Sequence, residues 1–206
     1  MWRRNFVLSI LLGGATIAMV FSLSACSDNG DDKQPETHTV PSGAEFNDAD
    51  TEFATDMVQH HAQALAMVDL TRGRELDPGV ERLAEAIRMA QSPEIEQMTT
   101  WLTDWGQPIP ETVRDHANAH GDGHGGSDAD MPGMMSAEEM AELEAAQGSE
   151  FQQMWLEMMV EHHEGAIQMS KTEQEAGRFA PAIALAEQIA TSQQKEIATI
   201  LTLLAS

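Results

Sequence analysis

The chain is short of cysteine, tyrosine and positive charge. Its only cysteine is Cys26, so no disulfide can form within it. Tyrosine is absent, which leaves four tryptophans as the intrinsic fluorophores. Lys and Arg number 11 against 34 Asp and Glu, a formal charge of −23 over 206 residues. Such a surface repels nucleic acid and anionic lipid headgroups, and it attracts cations only diffusely. No stretch alternates as a strand would. The one long apolar run, FVLSILLGGATIAMVF at residues 6–21, is shorter than the roughly 20 residues a membrane span needs. Zinc-protease and di-iron signatures are missing too. His163-Glu164-Gly165-Ala166-Ile167 lacks the second His of H-E-x-x-H, and neither half contains the Glu-x-x-His of di-iron bundles.

The apolar run follows a basic start, MWRRN, and ends in Leu23-Ser24-Ala25-Cys26, the layout of an export signal over residues 1–25. LSAC resembles the lipobox of bacterial lipoproteins, in which the cysteine carries a diacylglyceryl group, and two acyl chains anchor stably where one is marginal. The expectation is a protein held on the outer side of the cytoplasmic membrane, in the cell envelope, through lipid at Cys26. Without Arg3 and Arg4 the 34 acids face 9 basic residues, a net −25. Residues 26–44 are rich in Asp, Pro, Ser and Gly and read as a disordered tether. Residues 45–206 are long enough for one domain.

What is present in abundance is repetition. MVQHHAQALAM at residues 57–67 returns as MVEHHEGAIQM at 159–169. The offset of 102 also carries Phe53 to Trp155, Gln91 to Gln193, Glu94 to Glu196 and Leu102 to Leu204. No gap is needed, so the chain reads as two copies of a helix-helix unit, residues 47–106 and 149–206, around an insert at 107–148. Apolar residues recur at steps of three and four throughout. Asn47 with Asp50, Asp77-Pro78, Ser149 with Gln152 and Pro181 mark helix starts; Gly73, Gly106 and Gly177 mark ends. Ser136 with Glu139 opens a short extra helix. Four amphipathic helices in two hairpins predict an all-α four-helix bundle.

Polar side chains fall on the seam of that bundle. His60, His61, His162 and His163 lie among Met57, Met67, Met159 and Met169, while Gln91, Glu94, Gln193 and Glu196 interrupt the partner helices. Buried imidazoles and carboxylates without partners are costly, so they should meet each other, a metal, or both. Hydrogen-bonded core histidines and Met as core filler are the plain alternative. Against it, Gln59 became Glu161, Ala62 became Glu164 and Asp56 became Met158, while both His and both flanking Met were kept. Thioether sulfur is soft and selects Cu(I), and imidazole suits copper in general. Glu94 and Glu196 would then accept the other ring N–H and fix the tautomer.

At this point residues 131–170, MPGMMSAEEMAELEAAQGSEFQQMWLEMMVEHHEGAIQMS, resemble the signature of the domain-of-unknown-function family 305, with Gln193, Glu196 and Ile197 continuing it. The resemblance spans about residues 45–206. It implies a ferritin-like bundle in an exported protein, some of whose relatives are linked to copper binding and tolerance. Its motif falls on Met158, Met159, His162, His163 and Met169, and in the first copy on Met57, His60, His61 and Met67. Asp56 stands where the family has the first Met of its pair.

His116, His120 and His124 in the Gly- and Asp-rich insert form a weak capture site or a solvated linker. The reading is therefore a lipoprotein that binds copper, chiefly Cu(I), for storage, buffering or tolerance, without catalysis and without an organic cofactor. A copper-dependent oxidase and a metal-free structural module are the alternatives. Since imidazole must be neutral to bind, affinity is expected to weaken below about pH 6.5.

Overall fold

The computed structural model describes residues 36–39, 44–116 and 131–206. The signal segment, Cys26, most of the tether, His120 and His124 lie outside the described residues. So does the side chain of His116, the last residue of helix α3.

Capping chemistry sets the helix boundaries. Helix α1 (Asp48–Asp69) starts at a reciprocal capping box in which Asn47 and Asp50 each accept the other's backbone N–H. Helix α2 (Pro78–Asp104) starts on Asp77 with proline in its first turn, and it runs through Pro93 without ending. After α3 (Val113–His116), helix α4 (Ala137–Ala145) opens on the Ser136–Glu139 box. Helix α5 (Gly148–Ala176) ends at Gly177, and α6 (Ala180–Leu204) begins with Pro181 in its first turn. Helix α1 pairs with α2 and α5 with α6, and the hairpins meet chiefly along α1 and α5. The architecture is the expected four-helix bundle. Among the described residues no helix is long and apolar enough to cross a membrane.

Two expectations are corrected. A strand pair exists: β1 (Thr37–Thr39) runs antiparallel to β2 (Glu45–Asn47), with His38 opposite Phe46. Part of the segment read as tether is thus paired. Three-residue strands are too short to show a period, but Phe46 fixes this one by stacking on Trp105 at 4.6 Å between centroids.

The second correction concerns Ser149 and Gln152, which form no capping box. Helix α5 begins after Gln147 with no side-chain cap. Gln152 Oε1 instead accepts the backbone N–H of Asp77 at 2.8 Å. That bond has a counterpart 102 residues on, where Asp50 Oδ1 accepts the N–H of Phe179 at 2.9 Å. Each hairpin therefore ties the helix start of the other. Asp50 also accepts from Arg178, which is why α6 can begin after Phe179 with no cap of its own.

Two apolar clusters fill the bundle, one at each end. The first gathers Phe46, Phe53, Met57, Met98, Trp101 and Ile189 with neighbours that include Met169. The second holds Met67, Ile87, Leu143, Phe151, Trp155 and Met159, with Met158 packed against it. Each cluster draws on both copies of the repeat.

Candidate metal centre

All four repeat histidines are fully buried. The antiparallel crossing of α1 and α5 brings one ring from each copy together, His60 and His162, at 3.8 Å between centroids. Their neighbours in sequence, His61 and His163, turn toward the partner helices. His61 Nε2 donates to Glu94 Oε2 at 2.7 Å, and His163 Nε2 donates to Glu196 Oε2 at 2.6 Å. The two bonds are the same bond in each copy. The carboxylates keep 16% and 17% of their side-chain surface exposed, so their charge stays partly solvated.

His60 is held differently. Its Nε2 donates to the carbonyl of Pro132 at 3.1 Å. Pro132 belongs to a strap, residues 131–135, that lies across α1 and α5. Gln63 clamps it from α1, donating to the carbonyl of Met135 at 2.8 Å and accepting its N–H at 2.7 Å. On α5 the strap rests directly on Gly165, where any side chain would collide with the Pro132 carbonyl. Gly133, at φ 75°, completes the close approach.

These bonds leave orphans. His60 Nδ1, His61 Nδ1, His163 Nδ1 and both ring nitrogens of His162 are buried without a hydrogen-bond partner. The amides of Gln91 and Gln193 are likewise buried and unserved. In three of the rings the Nε2–H is spent on a fixed acceptor, which points the Nδ1 lone pair inward. Burial above all, then the positive charge His61 would carry, pulls the pKa of His60 down to about 3. Burial, followed by His60 and His163, holds His162 well below the usual imidazole range. Both rings are therefore neutral at any physiological pH. The expected weakening of metal binding below about pH 6.5 is corrected for these two, because desolvation already excludes the proton.

The thioethers divide between the ends. Met57 and Met169 belong to one apolar cluster, Met67 and Met159 to the other, with Met158 half-buried beside it. Among the described residues no three His, Cys, Asp or Glu side chains are placed to hold a metal ion.

Sequence reasoning missed Pro132, Gln63 and Gly165. Glycine in a helix interior costs up to about 1 kcal/mol against alanine, and that cost was the available signal for a close packing contact at Gly165. It also missed a carboxyl pair at the Met57 end. Asp50 is fully buried and served by backbone N–H groups. Glu173 lies against it with no N–H donor of its own. Burial first, then the hydrogen bond to Asp50 and its charge, pushes Glu173 up to about 9, so Glu173 holds a proton at neutral pH.

The domain of unknown function DUF305 matches residues 50–204. No curated protein matches the sequence. A crystal structure of a DUF305 protein from Streptomyces coelicolor, described as secreted, is 32% identical and aligns over 76% of this chain and 92% of that one, with a TM-score of 0.65. A DUF305 fragment from Deinococcus radiodurans is 30% identical over 77% of this chain and 96% of that one, again at 0.65. CopM in its Cu(II)-bound form shares the fold at 24% identity, over 76% of this chain and 95% of its own, with a TM-score of 0.60. CopM has also been solved in Cu(I)-bound and Ag-bound forms. The repeat, the buried histidine layer and these matches agree that the chain belongs to the DUF305 family.

Proposed function

We propose that this protein binds a soft transition-metal ion, Cu(I) first among them, inside the bundle, and holds it for storage, buffering or tolerance. The observation that carries the reading is the set of five buried ring nitrogens with no partner. A metal-free core would bear the desolvation cost of those atoms with no return. Neutral imidazole with thioether is the donor chemistry of Cu(I). Because His, Asp and Glu alone form no cage among the described residues, thioether sulfur completes the ligand set on this reading. Met57 or Met169 can serve from one end and Met67, Met158 or Met159 from the other. Glu94 and Glu196 then orient the rings of His61 and His163, and Gln91 and Gln193 offer polar groups beside them.

The copper- and silver-bound forms of CopM, which has the same fold, support this choice of metal. The relative described as secreted supports export. Together with the N-terminal signal pattern and Cys26, it supports a reading in which the bundle is held outside the cytoplasm on a lipid tether. The function is binding rather than catalysis.

The test is a Cu(I) competition titration with a chromogenic chelator under reducing conditions, on residues 27–206 and on a variant with all four histidines replaced by Ala. Tight stoichiometric binding that the folded variant loses is expected. Equal binding by both proteins would return the histidines to a purely structural role.

A further inference from the structure

A ligand site with every histidine fully buried needs a way in, and the two halves of the duplication differ in what they offer. One cleft, of about 190 Å³, opens between the first half of α1 and the last half of α5. On α1 its wall carries Glu52 and Asp56, and the next residue in that row of fours is His60. On α5 it carries Glu173 and Met169, and the next in that row is Gly165, three residues from His162. Pro132, whose carbonyl holds His60, closes the inner end. Exposure falls along the α1 row toward the histidines: Glu52 is exposed, Asp56 half-buried and His60 buried. Among the described residues no Lys or Arg lines it.

Moved 102 residues along, the same wall has another character. Glu52 and Asp56 become Met154 and Met158, Phe53 becomes Trp155, and Thr172 and Glu173 fall on Leu70 and Thr71. Leu143 and Ala146, from α4 and the residues after it, pack over that surface and seal it. One end of the histidine layer is therefore plugged with apolar side chains, and the other is an open acidic cleft. Another cleft, on the face of α6, includes Lys195 and reaches only Glu196 of the residues named above.

We propose that the α1–α5 cleft is the route by which a metal cation enters and leaves the histidine layer, with Glu52 and Asp56 drawing it in and Met169 receiving it. The proposal rests on the metal-binding reading. The carboxylates form no cage, as suits a passage rather than a store. It also accounts for Asp56, the position at which the first copy departs from the motif.

Cu(I) is supplied to the full mature chain as its labile acetonitrile complex. Loading is read by quenching with bicinchoninate at set times, and release by colour after excess bicinchoninate is added. Glu52→Gln/Asp56→Asn should load about tenfold more slowly at low ionic strength and lose most of its salt dependence. Thr172→Trp, at an exposed position on the cleft wall, should slow loading and release by the same factor and leave Kd unchanged. Glu187→Gln, on the α6 cleft, should behave as the parent. Circular dichroism establishes that each variant is folded. Wild-type rates in both cleft variants, with tight binding retained, would overturn the route and leave the site standing. Absence of tight binding in the parent itself would overturn the metal reading, and the route with it.

Discussion

The two ends of this bundle are built from one sequence pattern read twice, yet they are finished differently. At the Trp155 end the insert returns as α4, and Leu143 with Ala146 covers the apolar wall. At the Phe53 end no helix among the described residues covers the equivalent wall, and carboxyl groups replace methionines there. Between them the histidine layer stays nearly symmetric, with the same His–Glu bond in each half. Where the halves must do the same chemistry they have stayed alike, and where only one opening serves they differ.

The largest effect should come from breaking the sealed end. Trp155→Ala removes a fully buried ring and its Nε1 bond to the Met67 carbonyl, and should cost about 4 kcal/mol in denaturant unfolding. Phe53→Ala, at the matching place on the open cleft, should cost roughly half that, since water can enter the gap. Equal costs would remove the contrast.

Next comes the cross-tie. Asp50→Ala strands the backbone N–H groups of Asn47, Arg178 and Phe179 and should cost about 3 kcal/mol. Gln152→Ala strands only that of Asp77 at an exposed site and should cost about 0.5 kcal/mol. Thermal or urea unfolding of both variants checks the order.

The symmetric layer should answer symmetrically. Glu94→Gln and Glu196→Gln should each lower Cu(I) affinity about tenfold by loosening His61 and His163. A loss confined to one of them would mean that the metal is held by one copy alone.

Acid and alkali sharpen the comparison last, because the layer and the open end respond with opposite sign. His60, with its pKa down to about 3, and His162, also lowered, stay neutral in the fold. The unfolded chain binds protons at both below about pH 6.5, so apo stability falls as pH drops from there toward 3. Glu173, up to about 9, keeps a proton that the unfolded chain has lost above about pH 4.5. Its contribution is therefore full at low pH and declines as pH rises toward 9. Glu173→Gln should remove the Glu173 decline between about pH 4.5 and 9 and leave the Tm profile below about pH 4.5 unchanged. Cu(I) affinity should drop between pH 7 and 5 by much less than the roughly 600-fold that two ordinary imidazoles at His60 and His162 would give.

Much of this was legible in the sequence because it is local. Helix spacing, the Asn47, Asp77 and Ser136 caps and the 102-residue offset fixed four helices. The 33-residue step from His61 to Glu94 and from His163 to Glu196 follows from hairpin register, and it appears twice. What was not legible depends on how the hairpins cross. That His60 rather than His61 meets the other copy is set by the α1–α5 contact, which no spacing within one helix reports. The strap over His60 required Gly165 to admit a backbone, and Gln152 was read as a local cap because its partner, Asp77, lies in the other hairpin. Asp50 was seen as a cap and not as a tie for the same reason.

The central claim, one shared site drawn from both copies, is tested most directly by anomalous diffraction at the copper edge on crystals loaded with Cu(I). The account predicts a copper peak at the histidine layer, within bonding distance of rings from both α1 and α5 and of at least one methionine sulfur. Copper found only on surface carboxylates, or bound by one copy without the other, would contradict it.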